Sequence, residues 1–128
     1  MDILFLDDDA TRADQFDQRT GLKVQRVLTR GEFESAIQSQ RWDLICLDHD
    51  LGWEQDNLKW DGCAAARWLA DNRLYVGNNQ RVIIHSLNMV GVSNMIAAMK
   101  HCDHLEVDYI RNLWARVSYH PANGLSID

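Results

Sequence analysis

Three stretches of this chain set ionisable side chains directly behind apolar runs: ILFLDDD at residues 3–9, DLICLDHDLG at 43–52 and VIIHSLN at 82–88. The middle stretch carries the most chemistry. Leu44 to Leu47 form a continuous apolar run suited to a strand covered on both faces, and Asp48, His49 and Asp50 follow at once. Charge at the carboxyl end of such a strand lies where open α/β sheets bind ligands. The plainer role for Asp48 and Asp50 is to cap the turn or helix that follows.

Asp7, Asp8 and Asp48 are the candidate metal ligands, with Asp50 as a possible fourth. Two carboxylates about 4 Å apart repel by roughly 4 kcal/mol at an effective dielectric near 20. Such a cluster either holds a proton or takes up a cation. All-oxygen donors suit Mg²⁺ or Mn²⁺, and a nearby imidazole would extend the choice to Fe²⁺ or Zn²⁺.

His49 and His85 are the candidate proton carriers, with Asp48 as the third catalytic group. An imidazole beside a carboxylate can act as general acid or base near neutral pH. Two of them around a phosphate would protonate a leaving oxygen and activate water, as opening a cyclic phosphodiester requires. The simpler reading of His85 is a structural bond to a backbone carbonyl or to Asp48. Ser86 and Asn88 precede a helix, so they can cradle phosphate at its N-terminus or simply cap it. Trp53 and Trp60 can stack on a base or plug the core, and His101, His104 and His120 read as surface or structural residues.

The elements that would position these groups follow from periodicity. Apolar runs at 3–6, 44–47 and 82–84, an alternating run at 22–28 and a weaker one at 104–109 give five strands. Helical patterns fall at about 10–18, 30–39 (capped by Thr29), 63–73, 91–100 and 110–117. The two tryptophans sit on a loop over 52–60, and Pro121 opens a loosely held tail. Alternating strands and helices predict one doubly wound parallel sheet over residues 1–128, strand order 2-1-3-4-5, with helices on both faces. In that order strands 1, 3 and 4 are neighbours, about 4.8 Å apart. The acids and histidines then meet at one sheet edge.

With 46% hydrophobic and 25% charged residues, the chain reads as one globular domain. Its net charge of −6 argues against binding long nucleic acid, and leaves a small phosphorylated ligand or an RNA end as partner. Cys46, Cys63 and Cys102 share no CxxC spacing and read as reduced thiols, Cys46 in the core. No apolar run approaches a membrane span, so a cytoplasmic protein is expected.

ILFLDDD, DLICLD and VIIHS together resemble the receiver domain of two-component response regulators over nearly the whole chain. The resemblance implies Mg²⁺ at Asp7 and Asp8, a phosphoryl acceptor at Asp48 and a hydroxyl residue's place at His85 or Ser86. It also implies a Lys-Pro pair ending the fifth strand, where this chain reads EVDYI with Asp108 near that place. LDHDLG with HSLN is more similar to the cyclic-phosphate processing receiver domains, a group proposed to act on cyclic phosphates of RNA ends or nucleotides. Three functions are therefore expected to compete: a metal-dependent phosphoesterase, a signalling receiver acting through a protein partner or a second copy, and a non-catalytic phosphate sensor. Paired HxT or HxS motifs are lacking, which excludes a two-histidine phosphoesterase of that type.

Overall fold

The computed structural model describes residues 1–51, 54–55 and 58–128, with side chains for 1–51 and 60–128. The order is β1 (Ile3–Leu6), α1 (Ala10–Thr20), β2 (Gln25–Val27), α2 (Arg30–Ser39) and β3 (Leu44–Leu47). Then come β4 (Glu54–Gln55), β5 (Leu58–Lys59), α3 (Gly62–Asp71), α4 (Arg73–Val76), β6 (Gln80–Ile84) and α5 (Met89–Met99). The chain closes with β7 (Leu105–Tyr109), α6 (Leu113–Arg116), β8 (Val117–His120) and β9 (Gly124–Ile127). Five strands form one parallel sheet in the order β2-β1-β3-β6-β7, the expected topology. Among the described residues no helix is long and apolar enough to cross a membrane.

Alternation along the strands divides the core in two. Leu4, Leu6, Ile45, Leu47, Val82 and Ile84 face α2, α3 and α5, where Phe33, Leu69 and Met95 meet them. Ile3, Phe5, Leu44, Cys46 and Ile83 face the other way, onto Ala13 and Phe16 of α1 and Leu113 of α6. The helices start where side chains satisfy their free N–H groups. Asp9 accepts from the Thr11 amide, Asp61 from Ala64 and Asn88 from Gly91, and Thr29 forms a reciprocal capping box with Glu32.

Four expectations need correction. The second strand covers only 25–27, because the amides of Leu22 and Val24 bond to Thr20 and Asp17 of α1 instead of to the sheet. The 52–60 loop contains a short β4–β5 pairing; Trp53 lies outside the described residues, and Trp60 is buried, its ring 5.9 Å from Phe33. The predicted 110–117 helix is a single turn, α6. The loosely held tail is a β8–β9 hairpin pinned to α1, with Arg19 Nε donating to the Val117 carbonyl at 2.9 Å and Arg19 Nη2 meeting Asp128 at 3.0 Å. Val117, Tyr119, Leu125 and Ile127 carry a period-2 pattern that Pro121 obscures.

The approach of α3 to β3 depends on one missing side chain. A Cβ on Gly62 would stand 2.0 Å from the Asp48 carbonyl oxygen, whereas one on Gly31 in α2 would meet nothing within 4 Å. Gly62→Ala is therefore expected to cost about 2 kcal/mol or more by forcing backbone apart, and Gly31→Ala to be neutral or stabilising. Urea unfolding of both variants checks this, and equal midpoints would refute the close approach.

Candidate functional site

Parallel register brings the chemistry together. Leu6, Leu47 and Ile84 pair across β1, β3 and β6, so the next residues, Asp7, Asp48 and His85, stand in one rank. The ladder continues through that rank: the Asp48 amide bonds to the Leu6 carbonyl and the His85 amide to the Leu47 carbonyl, both at 2.9 Å. Ligand atoms of Asp7, Asp8 and Asp48 lie within 4.8 Å of one another. Asp7 and Asp48 are buried and Asp8 is exposed. Asp50 is not in this group; its Oδ1 accepts from His49 Nδ1 at 2.8 Å and from Asn88 Nδ2 at 3.3 Å.

The two histidines lie on opposite faces of the sheet, as alternation requires for one at the rank and one just past it. His85 is fully buried, stacked on Phe5 at 4.7 Å and met edge-on by Trp114 at 5.5 Å. Its Nε2–H donates to Asp7 Oδ2 at 2.9 Å, the carboxylate fixing the tautomer. Nδ1 of His85 is, among the described residues, the one buried side-chain nitrogen or oxygen with no hydrogen-bond partner. His49 packs instead between the starts of α3 and α5, with Nε2 3.6 Å from Asp61 Oδ2. A Cβ on Gly91 would fall 2.4 Å from its ring. The expected pair of imidazoles around one phosphate is not what this geometry assembles.

A cleft of about 210 Å³ opens over the acids, bordered by Asp8, Arg12, Asp48, Asp50, Ser86 and Asn88. That is room for a phosphoryl group and a few waters, and less than the roughly 300 Å³ at which pockets for drug-sized ligands begin. Neither histidine borders it. Asn88 also caps α5 through Oδ1, accepting from the Gly91 amide at 3.0 Å, and Ser86 Oγ accepts from the Asn88 amide at 3.1 Å. Capping and facing the cleft thus coexist in Asn88. His104 is structural, bonding the Leu69 carbonyl, and all three cysteines are free.

Arg12 is the residue that sequence reasoning missed. From the first turns of α1 its Nη1 lies 3.5 Å from Asp7 Oδ1 and 3.4 Å from Asp48 Oδ2, with Nε 3.6 Å from Asp9. Its place five residues beyond Asp7, within the first turn of α1, is the signal that could have found it. No lysine among the described residues bonds these acids. At the end of the fifth strand, Tyr109 pairs with Ile84 and donates its hydroxyl to the Ser86 carbonyl, while Asp108 pairs one rank lower with Ile83.

The electrostatics reflect the crowding. Burial first, then the charge of Asp7, pushes the Asp48 carboxyl up to about 6, with His85, the His49 amide and Arg12 pulling the other way. Asp8 is also raised, by burial and then by Asp7. An all-oxygen cluster whose acids resist ionisation fits a hard divalent cation such as Mg²⁺ or Mn²⁺.

A family model described as the cyclic-phosphate processing receiver domain matches residues 2–101. No curated protein matches the chain. Among solved structures, the phosphorylated cyanobacterial phytochrome response regulator RcpA is 18% identical at a TM-score of 0.60, over 86% of this chain and 79% of that one. DrrB, an OmpR/PhoB homologue of Thermotoga maritima, is 15% identical at 0.56, over 86% of this chain and 44% of its own. A Burkholderia pseudomallei response regulator, solved with a phosphorylated aspartic acid, calcium ion and citrate, is 15% identical at 0.55, over 84% and 59%. The chain therefore spans less than two thirds of the last two proteins, and identities this low establish a shared fold.

The raised Asp48 has a measurable consequence. Its folded value, about 6, lies above the 3.8 of an unperturbed side chain, so the folded protein binds this proton more tightly. The resulting stability is full below about pH 4 and is lost as pH rises through about 6. In chelator-treated protein, Asp48→Asn is expected to flatten that decline and to be about 2 kcal/mol more stable than wild type near pH 7. Thermal unfolding of both proteins across this range checks it; parallel curves would refute the shift.

Proposed function

Because the chain belongs to the cyclic-phosphate processing receiver domain family, we propose that the cleft over Asp48 holds a divalent cation and a phosphoryl group side by side. The single observation carrying this is the cluster of Asp7, Asp8 and Asp48, of which Asp8 and Asp48 line a phosphoryl-sized cleft. A cation at Asp7, Asp8 and Asp48 would neutralise the acids and polarise a phosphoryl oxygen.

In the leading reading the domain is a response-regulator-type module, and Asp48 is its acceptor. A carboxylate oxygen of Asp48 attacks phosphorus, the donor's leaving oxygen departs with the bonding pair, and an acyl phosphate forms on Asp48. Asp7 is held for its part by the His85 Nε2–H bond, and Arg12 and Asn88 border the space the phosphoryl oxygens would enter. Phosphorylated relatives of the same fold support this reading. A module of this kind would act through a protein partner or a second copy.

A second reading is favoured by the family's description and by the lack of a bonded lysine at Asp48 among the described residues: opening of a cyclic phosphate on a nucleotide or RNA end. Here water attacks phosphorus and one ring oxygen leaves, taking a proton. Since neither imidazole borders the cleft, proton movement there falls to the carboxyl groups of Asp48 and Asp50, with His49 orienting Asp50.

One pair of assays separates the two. With Mg²⁺ and acetyl phosphate, the leading reading predicts a mass gain of one phosphoryl group that is lost in Asp48→Asn. With a 2′,3′-cyclic nucleotide or a cyclic-phosphate-ended RNA, the second predicts ring opening that needs Mg²⁺ or Mn²⁺ and falls at least about a hundredfold in Asp48→Asn. Neither product under any metal condition would sink both.

A further inference from the structure

The matched family region stops at residue 101, yet the segment beyond it packs against Arg12, a residue that borders the cleft. Trp114, on α6, lies under the Arg12 guanidinium, whose central carbon is 4.7 Å from the ring centroid. The same indole meets His85 edge-on at 5.5 Å. Asp7, His85, Trp114 and Arg12 thus form a closed ring of contacts: Asp7 to His85 by a hydrogen bond, His85 to Trp114 by an aromatic edge, Trp114 to Arg12 by a cation–π contact, and Arg12 back to Asp7.

The distances within that ring are unequal. Arg12 Nη1 stands 3.4 and 3.5 Å from the two acids, beyond the 2.7–2.9 Å of a tight charge-assisted bond. Nη2 has no hydrogen-bond partner among the described residues. The guanidinium is therefore aimed more by the indole face beneath it than by a locked ion pair, and it keeps donors for an incoming anion. A planar fork on an aromatic face, bordering a cleft of phosphoryl size, is the arrangement by which arginine binds two oxygens of one phosphoryl group.

From these contacts we infer that Arg12 is the phosphoryl-recognising cation of the cleft, and that Trp114 is its positioning residue. The inference rests on the proposed metal and phosphoryl site. It makes the C-terminal segment part of that site, since α6 and the β8–β9 hairpin are fastened to α1 by Arg19 bonding to Val117 and Asp128.

The test uses the full chain and two probes, Mn²⁺ alone and inorganic phosphate in the presence of Mn²⁺. Arg12→Ala and Trp114→Leu should each weaken phosphate binding by about tenfold or more, as read by NMR titration. Both should leave Mn²⁺ affinity unchanged or tighter, because a competing positive charge is removed or loosened. Trp114→Phe keeps an aromatic face and should recover most of the phosphate affinity. A general loss of structure would instead lower Mn²⁺ affinity, phosphate affinity and Tm together without rescue by Phe, and that result overturns the positioning role. Wild type binding both probes, with Trp114→Leu within twofold of it, overturns this inference alone. Wild type binding neither probe overturns the site itself and this inference with it.

Discussion

Two carboxylates forced into one rank at the buried end of adjacent parallel strands set the terms for everything around them. Asp7 and Asp48 cannot separate without breaking the β1–β3 register, which the four pairs from Ile3–Leu44 to Leu6–Leu47 secure. At such spacing like charges cost roughly 4 kcal/mol even in a fairly polarisable interior. The local structure is the set of responses to that cost. His85 gives Asp7 a hydrogen bond from below, Arg12 spans both acids from the side, and the Asp9 amide donates to Asp7 at 2.8 Å. What remains uncompensated appears as the raised Asp48 carboxyl.

Strand alternation then decides which side chains take part directly. His85 falls on the α1–α6 side, sealed between Phe5 and Trp114, where it can hold Asp7 but meets no solvent. His49 falls on the α3–α5 side, where the close passage of Gly62 past the β3 backbone and of Gly91 past the imidazole leaves it little freedom. Through Asp50 and Asn88 it braces one wall of the cleft. Each histidine thus works on a neighbouring polar group and neither borders the open space.

Much of this was legible in the sequence because its causes are local. Apolar runs ending in ionisable side chains located β1, β3 and β6, and alternation with helical patterns implied the sheet order, which in turn implied that Asp7, Asp8, Asp48 and His85 converge. The missed features depend on contacts between distant segments. Whether His85 faces a cleft or the core is a matter of strand parity combined with what covers that face, and α6 supplies Trp114 from far along the chain. Arg12 reads as a helix surface residue until an indole and two acids surround it. The C-terminal hairpin hid behind Pro121, and it was α1, through Arg19, that gave its first strand a place to dock.

The position of the cation also decides which part of the fold feels the cleft. Were it carried at the end of β7, the charge would act on the strand that packs beside α5. Here that end of β7 holds Tyr109, bonded to the Ser86 carbonyl, and the next residue, Ile110, continues the ladder by donating its amide to Ile84. The positive charge comes from α1 and rests on α6. Any ligand that draws on Arg12 therefore pulls against Trp114, and through α1 against the hairpin held by Arg19 and Asp128. The C-terminal segment and α1 are mechanically one support for the acids. The packing of the last elements of the chain therefore bears on how Arg12 stands over the acids.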